Sequence, residues 1–260
     1  MTLFALTRAV SPSLAECELT HLAREPIDIP RAVEQHAAYE TLLGDLGATV
    51  VRVPPAPALP DAVFIEDTAI VLDEVAVITR PGAVVRRAEL EGVAAALGSY
   101  RPLVSLTAPA TLDGGDVFRA GQRLYVGRSS RTNDEGIEQL RRATEPYGMQ
   151  VIAVEFQGCL HLKSAVTTVA DDVLLVNPDW VSAACFRGFD CIAVDPREPH
   201  GANILRVGAS LVYSSAYPRT AEVLGRHGFV VSTVDCSELV KAEGAVTCCS
   251  LVFNHFPAHY

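Results

Sequence analysis

Short apolar runs separated by polar turns dominate the chain, and five of them share one local design: 75–79 (VAVIT), 123–126 (RLYV), 173–176 (VLLV), 210–213 (SLVY) and 250–253 (SLVF). Runs this short, rich in β-branched and aromatic residues, predict strands. They recur at roughly 40–50-residue spacing, a period expected of propeller-like arrays. The first four lead into turns rich in Gly, Pro, Ser or Asn (RPGA, GRSSRTN, NPD, SSAYPRT). Helical patterning follows three of them, at 87–97, 135–144 and 220–227. The stretch after Asn177 is irregular.

About ten residues before each strand, a second apolar strand is expected to open on polar groups. The openings are FIED (64–67), LDGGD (112–116), CLHLKS (159–164), HGANI (200–204) and VTCCS (246–250). Hairpin-like turns at 72–74, 120–122, 170–172 and 207–209 separate the strand pairs. The unit reads as strand, turn, strand, loop, helix. Five such units closed into a ring, an α/β propeller, would bring the polar openings to one axis. An ordinary α/β sandwich, in which those residues never meet, suits the same pattern. Nearer the start, 4–8 reads as a strand, 29–46 as an amphipathic helix stopping at Gly47, and 49–53 as a strand before the Pro-rich 54–60. With no linker or low-complexity stretch, residues 1–260 read as one domain.

Charge narrows the partners. Lys plus Arg number 21 against 31 Asp plus Glu, a formal net charge of −10. That balance lacks the clustered positive charge a nucleic acid needs, and it suits a cationic ligand. No run of about 18 apolar residues suggests a membrane span, and no signal-like segment opens the chain. The seven cysteines are odd in number and form no C-x-x-C pair, which argues against a disulfide framework or a thiolate zinc site. The histidines show no zinc spacing. A cytoplasmic protein of this kind needs no metal. A homodimer through edge strands or apolar helix faces stays open.

The candidate chemistry sits in the polar openings. Cys248 and Cys249 are adjacent, and strand alternation would turn only one toward a ring axis while the other packs in the core. His161 opens another strand, and cysteine–histidine catalysis requires proximity in space, not in sequence. Asp61, Glu66 and Asp67 flank an apolar run, where alternation would again set Glu66 and Asp67 on opposite faces. The glycines of LDGGD lie between acids, so a bulge or close backbone approach suits them better than phosphate binding. Arg86 and Arg131 follow two repeat strands at similar offsets and could converge on one carboxylate.

Taken together, SLAECEL, LPDAVFIEDTAIV, ITRPGAVVRR, LDGGDVF, YVGRSSRTN, LHLKS, AYPRT and EGAVTCCSL resemble, in order and spacing over nearly the whole chain, the dimethylarginine dimethylaminohydrolases, guanidine-modifying enzymes of the pentein superfamily. The resemblance implies a five-bladed pseudo-symmetric α/β propeller. It implies hydrolysis of asymmetric dimethylarginine and monomethylarginine to citrulline and dimethylamine or methylamine, through a covalent cysteine thiouronium and without a cofactor. By motif, Cys248 is implied as nucleophile, His161 as general acid and base, and Asp113 as its orienting partner. Glu66 and Asp67 would hold the guanidinium, Arg86 and Arg131 the α-carboxylate, and Asp61 the α-amino end. Backbone carbonyls near Leu19, on a lid, and near Ala242 would complete the amine site. The chain departs from the family motif at Glu243, where Asp is common, and around the lid, where the contact falls on Glu18 or Leu19.

These groups fit guanidine chemistry. A guanidinium stays protonated and its carbon is a poor electrophile, so a thiolate is needed to attack it. Attack neutralises a cation, so the site calls for acceptors where a peptidase needs oxyanion donors. The same acids should raise the cysteine pKa, and the bound cation, with a protonated His161, offsets them. Arginine deiminases and amidinotransferases share the superfamily, and a non-catalytic propeller that binds a partner is the alternative outside enzymes.

Overall fold

Buried apolar positions alternating with tight turns fold the chain into five three-stranded sheets. The computed structural model describes residues 1–256; the last four positions of the expected 1–260 domain, His259 among them, lie outside the described residues. The chain begins with β1 (Thr2–Thr7), α1 (Ile29–Asp45) and β2 (Thr49–Arg52). The next unit is β3 (Ala69–Val71), β4 (Ala76–Ile78), α2 (Leu90–Leu97) and β5 (Leu103–Ser105). It is repeated by β6 (Val117–Ala120), β7 (Arg123–Arg128), α3 (Asp134–Thr144) and β8 (Gln150–Glu155). The single-turn α4 (Leu162–Ala165) introduces β9 (Val166–Ala170), β10 (Val173–Val176) and β11 (Asp190–Ala193). Only a 3-10 turn, Ala183–Cys185, stands in the helix position of that unit. Then come β12 (Ile204–Val207), β13 (Ser210–Ser214), α5 (Pro218–Arg226), β14 (Val231–Val234), α6 (Ser237–Val240) and β15 (Leu251–His255).

Every sheet has one plan: its middle strand runs antiparallel to one neighbour and parallel to the other. Tight turns make the antiparallel hairpin, whereas a parallel neighbour requires a crossover, here usually a helix. The unit is therefore one strand longer than the sequence pattern suggests. The fifth unit also differs from expectation. SLVF lies on β15, the first strand of its sheet, and the middle strand is β1, with Thr2 opposite His255 and Leu6 opposite Leu251. An apolar run signals burial but does not reveal which place in a sheet it fills.

First strands β3, β6, β9, β12 and β15 surround a cavity of about 220 Å3, into which Ile70, Phe118, Thr168, Leu205 and Val252 project from the five sheets. Glu66, Lys163 and Thr247 form its floor. The ring, not the sandwich, is the architecture. Helices pack outside: Ala32, Tyr39 and Leu43 of α1 meet Ala5, Val234 and Val246, and Ile137 and Leu140 of α3 meet Leu112, Leu124 and Val126. Full burial of each large aliphatic side chain contributes about 1.5–3 kcal/mol. Asp28 caps α1 by accepting from the Arg31 amide, and Asn133 caps α3 through Gly136. Among the described residues no helix is long and apolar enough to cross a membrane.

Candidate active site

The polar openings form turns, not strand starts. Glu66 and Asp67 lie on a 3-10 turn, Ile65–Thr68; Gly114–Asp116 forms another; His161 caps α4; and Cys248 lies in a turn just before β15. Strand alternation therefore does not govern Glu66 and Asp67, and both are buried near the axis. Cys248 and Cys249 do part company, but through the turn: Cys248 borders a small cavity and Cys249 packs into the core. Tyr39 of α1 steadies this segment, its hydroxyl bonded to the Val246 carbonyl at 2.8 Å and the Ser250 hydroxyl at 2.7 Å.

The glycines of LDGGD serve close approach, as expected. A Cβ on Gly114 would stand 2.0 Å from the Glu66 carbonyl oxygen. One on Gly115 would stand 2.5 Å from His161 Nδ1 and 2.8 Å from Asp67 Oδ1. Only glycine allows the two acidic openings and the histidine to meet.

His161 Nε2 lies 3.1 Å from Asp113 Oδ2, and Nδ1 lies 3.8 Å from Asp67 Oδ1. Burial alone would lower the pKa of this ring, but Asp67, the Asp113 hydrogen bond and Asp116 outweigh it and hold it up to about 9. Asp67 shows the counterpart: burial opposes its charge, yet His161 and Arg86 hold its carboxyl down to about 2. Burial, then Glu66 and Asp67, push the Cys248 thiol well above its ordinary value. The resting groups are thus a neutral thiol beside an imidazolium. Asp67, Asp113 and His161 bring potential metal-ligand atoms within 4.8 Å of one another. Their atoms already have protein partners: Arg86 and the Gly115 amide on Asp67, His161 and the Gly82 amide on Asp113.

Proton linkage makes this arrangement measurable. The folded state favours the imidazolium, so its contribution to stability is complete below the ordinary value of 6.5 and is lost as pH rises through about 9. The melting temperature is expected to fall across that window, and His161→Gln to flatten the slope. Identical slopes in the two proteins would remove His161 as its source.

Several partners were not foreseen. Lys163 Nζ sits 2.6 Å from Glu66 Oε1, and the Thr247 hydroxyl donates to Glu66 Oε2 at 2.8 Å. Glu89 accepts from Arg86 at Nε and Nη2, while Phe64 offers its carbonyl at 3.0 Å. Asp116 accepts from Ser129, Thr132 and the Leu162 amide, fixing the residue beside His161. Lys163 and Asp116 lie inside motifs already singled out, but nothing in their spacing names their partners.

Residues 18–25, the segment the resemblance reads as a lid, carry no regular secondary structure. The Glu18 amide donates to Asp61 Oδ2 at 3.1 Å, and Arg131 Nη2 donates to the Thr20 hydroxyl at 3.1 Å. Glu18 borders the cavity, while the Leu19 side chain packs against the core. Burial raises the Asp61 carboxyl, opposed by Arg86 and the Glu18 amide. Asp61, Asp67, Arg86, Arg131, His161, Ala242 and Cys248 all border one small cavity of about 20 Å3. Glu66 lies behind it, on the floor of the central cavity.

Comparison with known proteins agrees with this geometry. A family model described as N,N dimethylarginine dimethylhydrolase, eukaryotic, matches residues 20–189. An N(G),N(G)-dimethylarginine dimethylaminohydrolase of Streptomyces coelicolor is 43% identical over 250 residues, 95% of each chain. One from Pseudomonas aeruginosa is 35% identical over 236 residues, 90% of this chain and 92% of its own. A solved structure of a P. aeruginosa enzyme of that kind, a cysteine-to-serine variant complexed with citrulline, superposes with a TM-score of 0.92 at 33% identity, covering 97% of this chain and all of the other. A ring of five sheets, an acid-lined cysteine–histidine cavity and near full-length likeness converge: the chain belongs to the dimethylarginine dimethylaminohydrolase family.

Proposed function

We propose that this protein hydrolyses asymmetric dimethylarginine and monomethylarginine to citrulline and the corresponding methylamine. The observation that carries the reading is the one small cavity bordered together by the Cys248 thiol, the His161 ring, the Asp61 and Asp67 carboxylates and the Arg86 and Arg131 guanidinium groups. In this reading the guanidinium lies against Glu66 and Asp67, whose oxygens keep lone pairs beyond their protein contacts. The α-carboxylate binds Arg131 and the remaining Nη1 donor of Arg86. The α-amino group binds Asp61 and backbone carbonyls near the lid and Ala242.

Cys248 Sγ, its proton released to solvent as the cationic substrate binds, attacks the guanidinium carbon. His161, oriented by Asp113, protonates the methylated nitrogen, and the C–N bond breaks to release dimethylamine or methylamine. Water then adds to the thiouronium carbon and gives a proton to His161. The C–S bond breaks as the adduct's hydroxyl proton passes to the departing sulfur, freeing the thiol and citrulline. Only protein groups and water take part. The same reading treats residues 1–260 as one catalytic domain in the cytoplasm, where seven unpaired cysteines suit a reducing compartment. The outer strand β5, with Leu103 and Val104 exposed, is the edge on which a homodimer would form.

A citrulline assay on asymmetric dimethylarginine, monomethylarginine and arginine tests the reading. Turnover of the methylated substrates is expected to exceed that of arginine by roughly tenfold or more, because one or two methyl groups in an apolar pocket are worth about 1–3 kcal/mol. Citrulline from arginine alone would reassign the protein to deiminase chemistry.

A further inference from the structure

Glu243 has a backbone that most residues avoid. Its φ is +58°, the left-handed region, which makes it the non-glycine residue of positive φ among the described residues. It follows α6, with its amide donating to the Val240 carbonyl at 2.9 Å and the Gly244 amide to that of Leu239 at 3.0 Å. Helix ends of this kind usually place Gly or Asn in the left-handed position. A longer side chain is accepted here at a cost in backbone strain, and the cost suggests that the side chain has a task.

The carboxylate ends in a nest of lid amides. Glu243 Oε2 accepts from Thr20 N at 3.0 Å, and Oε1 accepts from His21 N at 2.5 Å and Leu22 N at 2.7 Å. Consecutive backbone amides turned toward one point make an anion site, and here the anion belongs to the protein. Glu243 also borders two spaces. One is the small cavity of about 20 Å3 with Cys248 and His161; the other, about 280 Å3, lies under His21 and Leu22. A cavity of about 20 Å3 holds one water molecule and no amino acid. While the lid is shut, its Glu18 amide occupies Asp61 and its Thr20 hydroxyl occupies Arg131, the groups read above as anchors for the amine and carboxylate.

We propose that Glu243 is the latch of the lid, a positioning residue whose carboxylate grips the Thr20–Leu22 amides to close the site and must release them to admit substrate. This deepens the proposed amidine hydrolysis and rests on it for the identity of what is admitted. The latch acts on the lid with or without substrate, so it shifts the open–closed balance of free and occupied enzyme alike. Binding strength then changes little, while the closed, reactive fraction of the complex falls when the latch is lost.

The test compares wild type with Glu243→Ala, Glu243→Gln and Glu243→Gly in three measurements. These are hydrogen exchange of the Thr20–Leu22 amides, alkylation of Cys248 by neutral iodoacetamide, and kcat with KM for asymmetric dimethylarginine. For the alanine variant, exchange and alkylation are expected to quicken at least tenfold, and kcat to fall at least fivefold with KM held within twofold. The glutamine variant, which keeps an acceptor oxygen without the charge, should lie between. Glycine is at ease at this φ, so it separates strain from latching: behaviour like alanine supports the latch, and exchange and alkylation within twofold of wild type overturn it. Exchange and alkylation need no turnover. A latch found in a protein that hydrolyses no methylarginine would sink the substrate reading while leaving the latch standing.

Discussion

Cys248→Ser is expected to lower citrulline formation roughly 10³-fold or more, whereas Cys249→Ser keeps it within about threefold. The two sulfurs are neighbours in sequence and strangers in chemistry. Cys248 faces the acid-lined cavity, and Cys249 is buried among core residues with its thiol directed at the Ala245 carbonyl. A serine hydroxyl in place of Cys248 would have to give up its proton among Glu66 and Asp67, where even the thiol is pushed well above its ordinary value. It is also the poorer nucleophile toward a resonance-stabilised cation. The same electrostatics predict a preference among inactivators: a cationic amidine electrophile should modify Cys248 faster than a neutral one of equal intrinsic reactivity, because it carries the charge that stabilises the thiolate. Equal rates would contradict this account, and turnover retained in the serine variant would move the nucleophile elsewhere.

The second large effect is structural. Arg86 is buried, and four of its five N–H groups are engaged by Asp67, Glu89 and the Phe64 and Asp61 carbonyls. Together the two carboxylates and the arginine form a buried triad in which one cation is shared by two anions. Removing the arginine strips Glu89 of its buried cation and leaves Asp67 with only His161 and the Gly115 amide, at a cost of about 3–5 kcal/mol. Arg86→Met is therefore expected to lower the melting temperature on the order of 10 °C, since each kcal/mol shifts a chain of this size by about 2–4 °C. Arg86→Lys should recover part of the loss, as the charge remains but the paired donors to Glu89 do not. A methionine variant that melts with wild type while KM alone rises would show Arg86 to be a substrate clamp with no part in holding the acids.

The contrast between Arg86 and Arg131 shows how far the sequence could be read. Both follow repeat strands at similar offsets, which marks them as a pair, and both border the cavity. That Arg86 spends most of its donors on the protein depends on Glu89, three residues away on a 3-10 turn that the helical pattern does not separate from α2. Hairpins were legible because their two strands are apolar and their turns short. Third strands were mostly not: β2 is legible as 49–53 because a helix stop and a Pro-rich stretch frame it, but β5 is exposed along its length and shows no clean alternation. The crowding at Gly115 was legible in kind, since glycines between acids in a β context suggest close approach. That the approach is to His161 is a tertiary fact. The same holds for Lys163 on Glu66, a pair joined only when two sheets meet at the axis.

The sheet that carries the nucleophile's segment is also the one built from the two ends of the described chain, with β15 laid against β1. Contacts between residues so far apart in sequence form against the largest loop-closure entropy and slow folding the most. Four sheets can assemble from neighbouring hairpins and crossovers, but the fifth waits for its strands to find each other across the whole fold. Cys248, just before β15, gains its place beside Asp67 and His161 through that encounter. A chain caught short of closure therefore carries an ordinary thiol, and reactivity arrives only with completed topology.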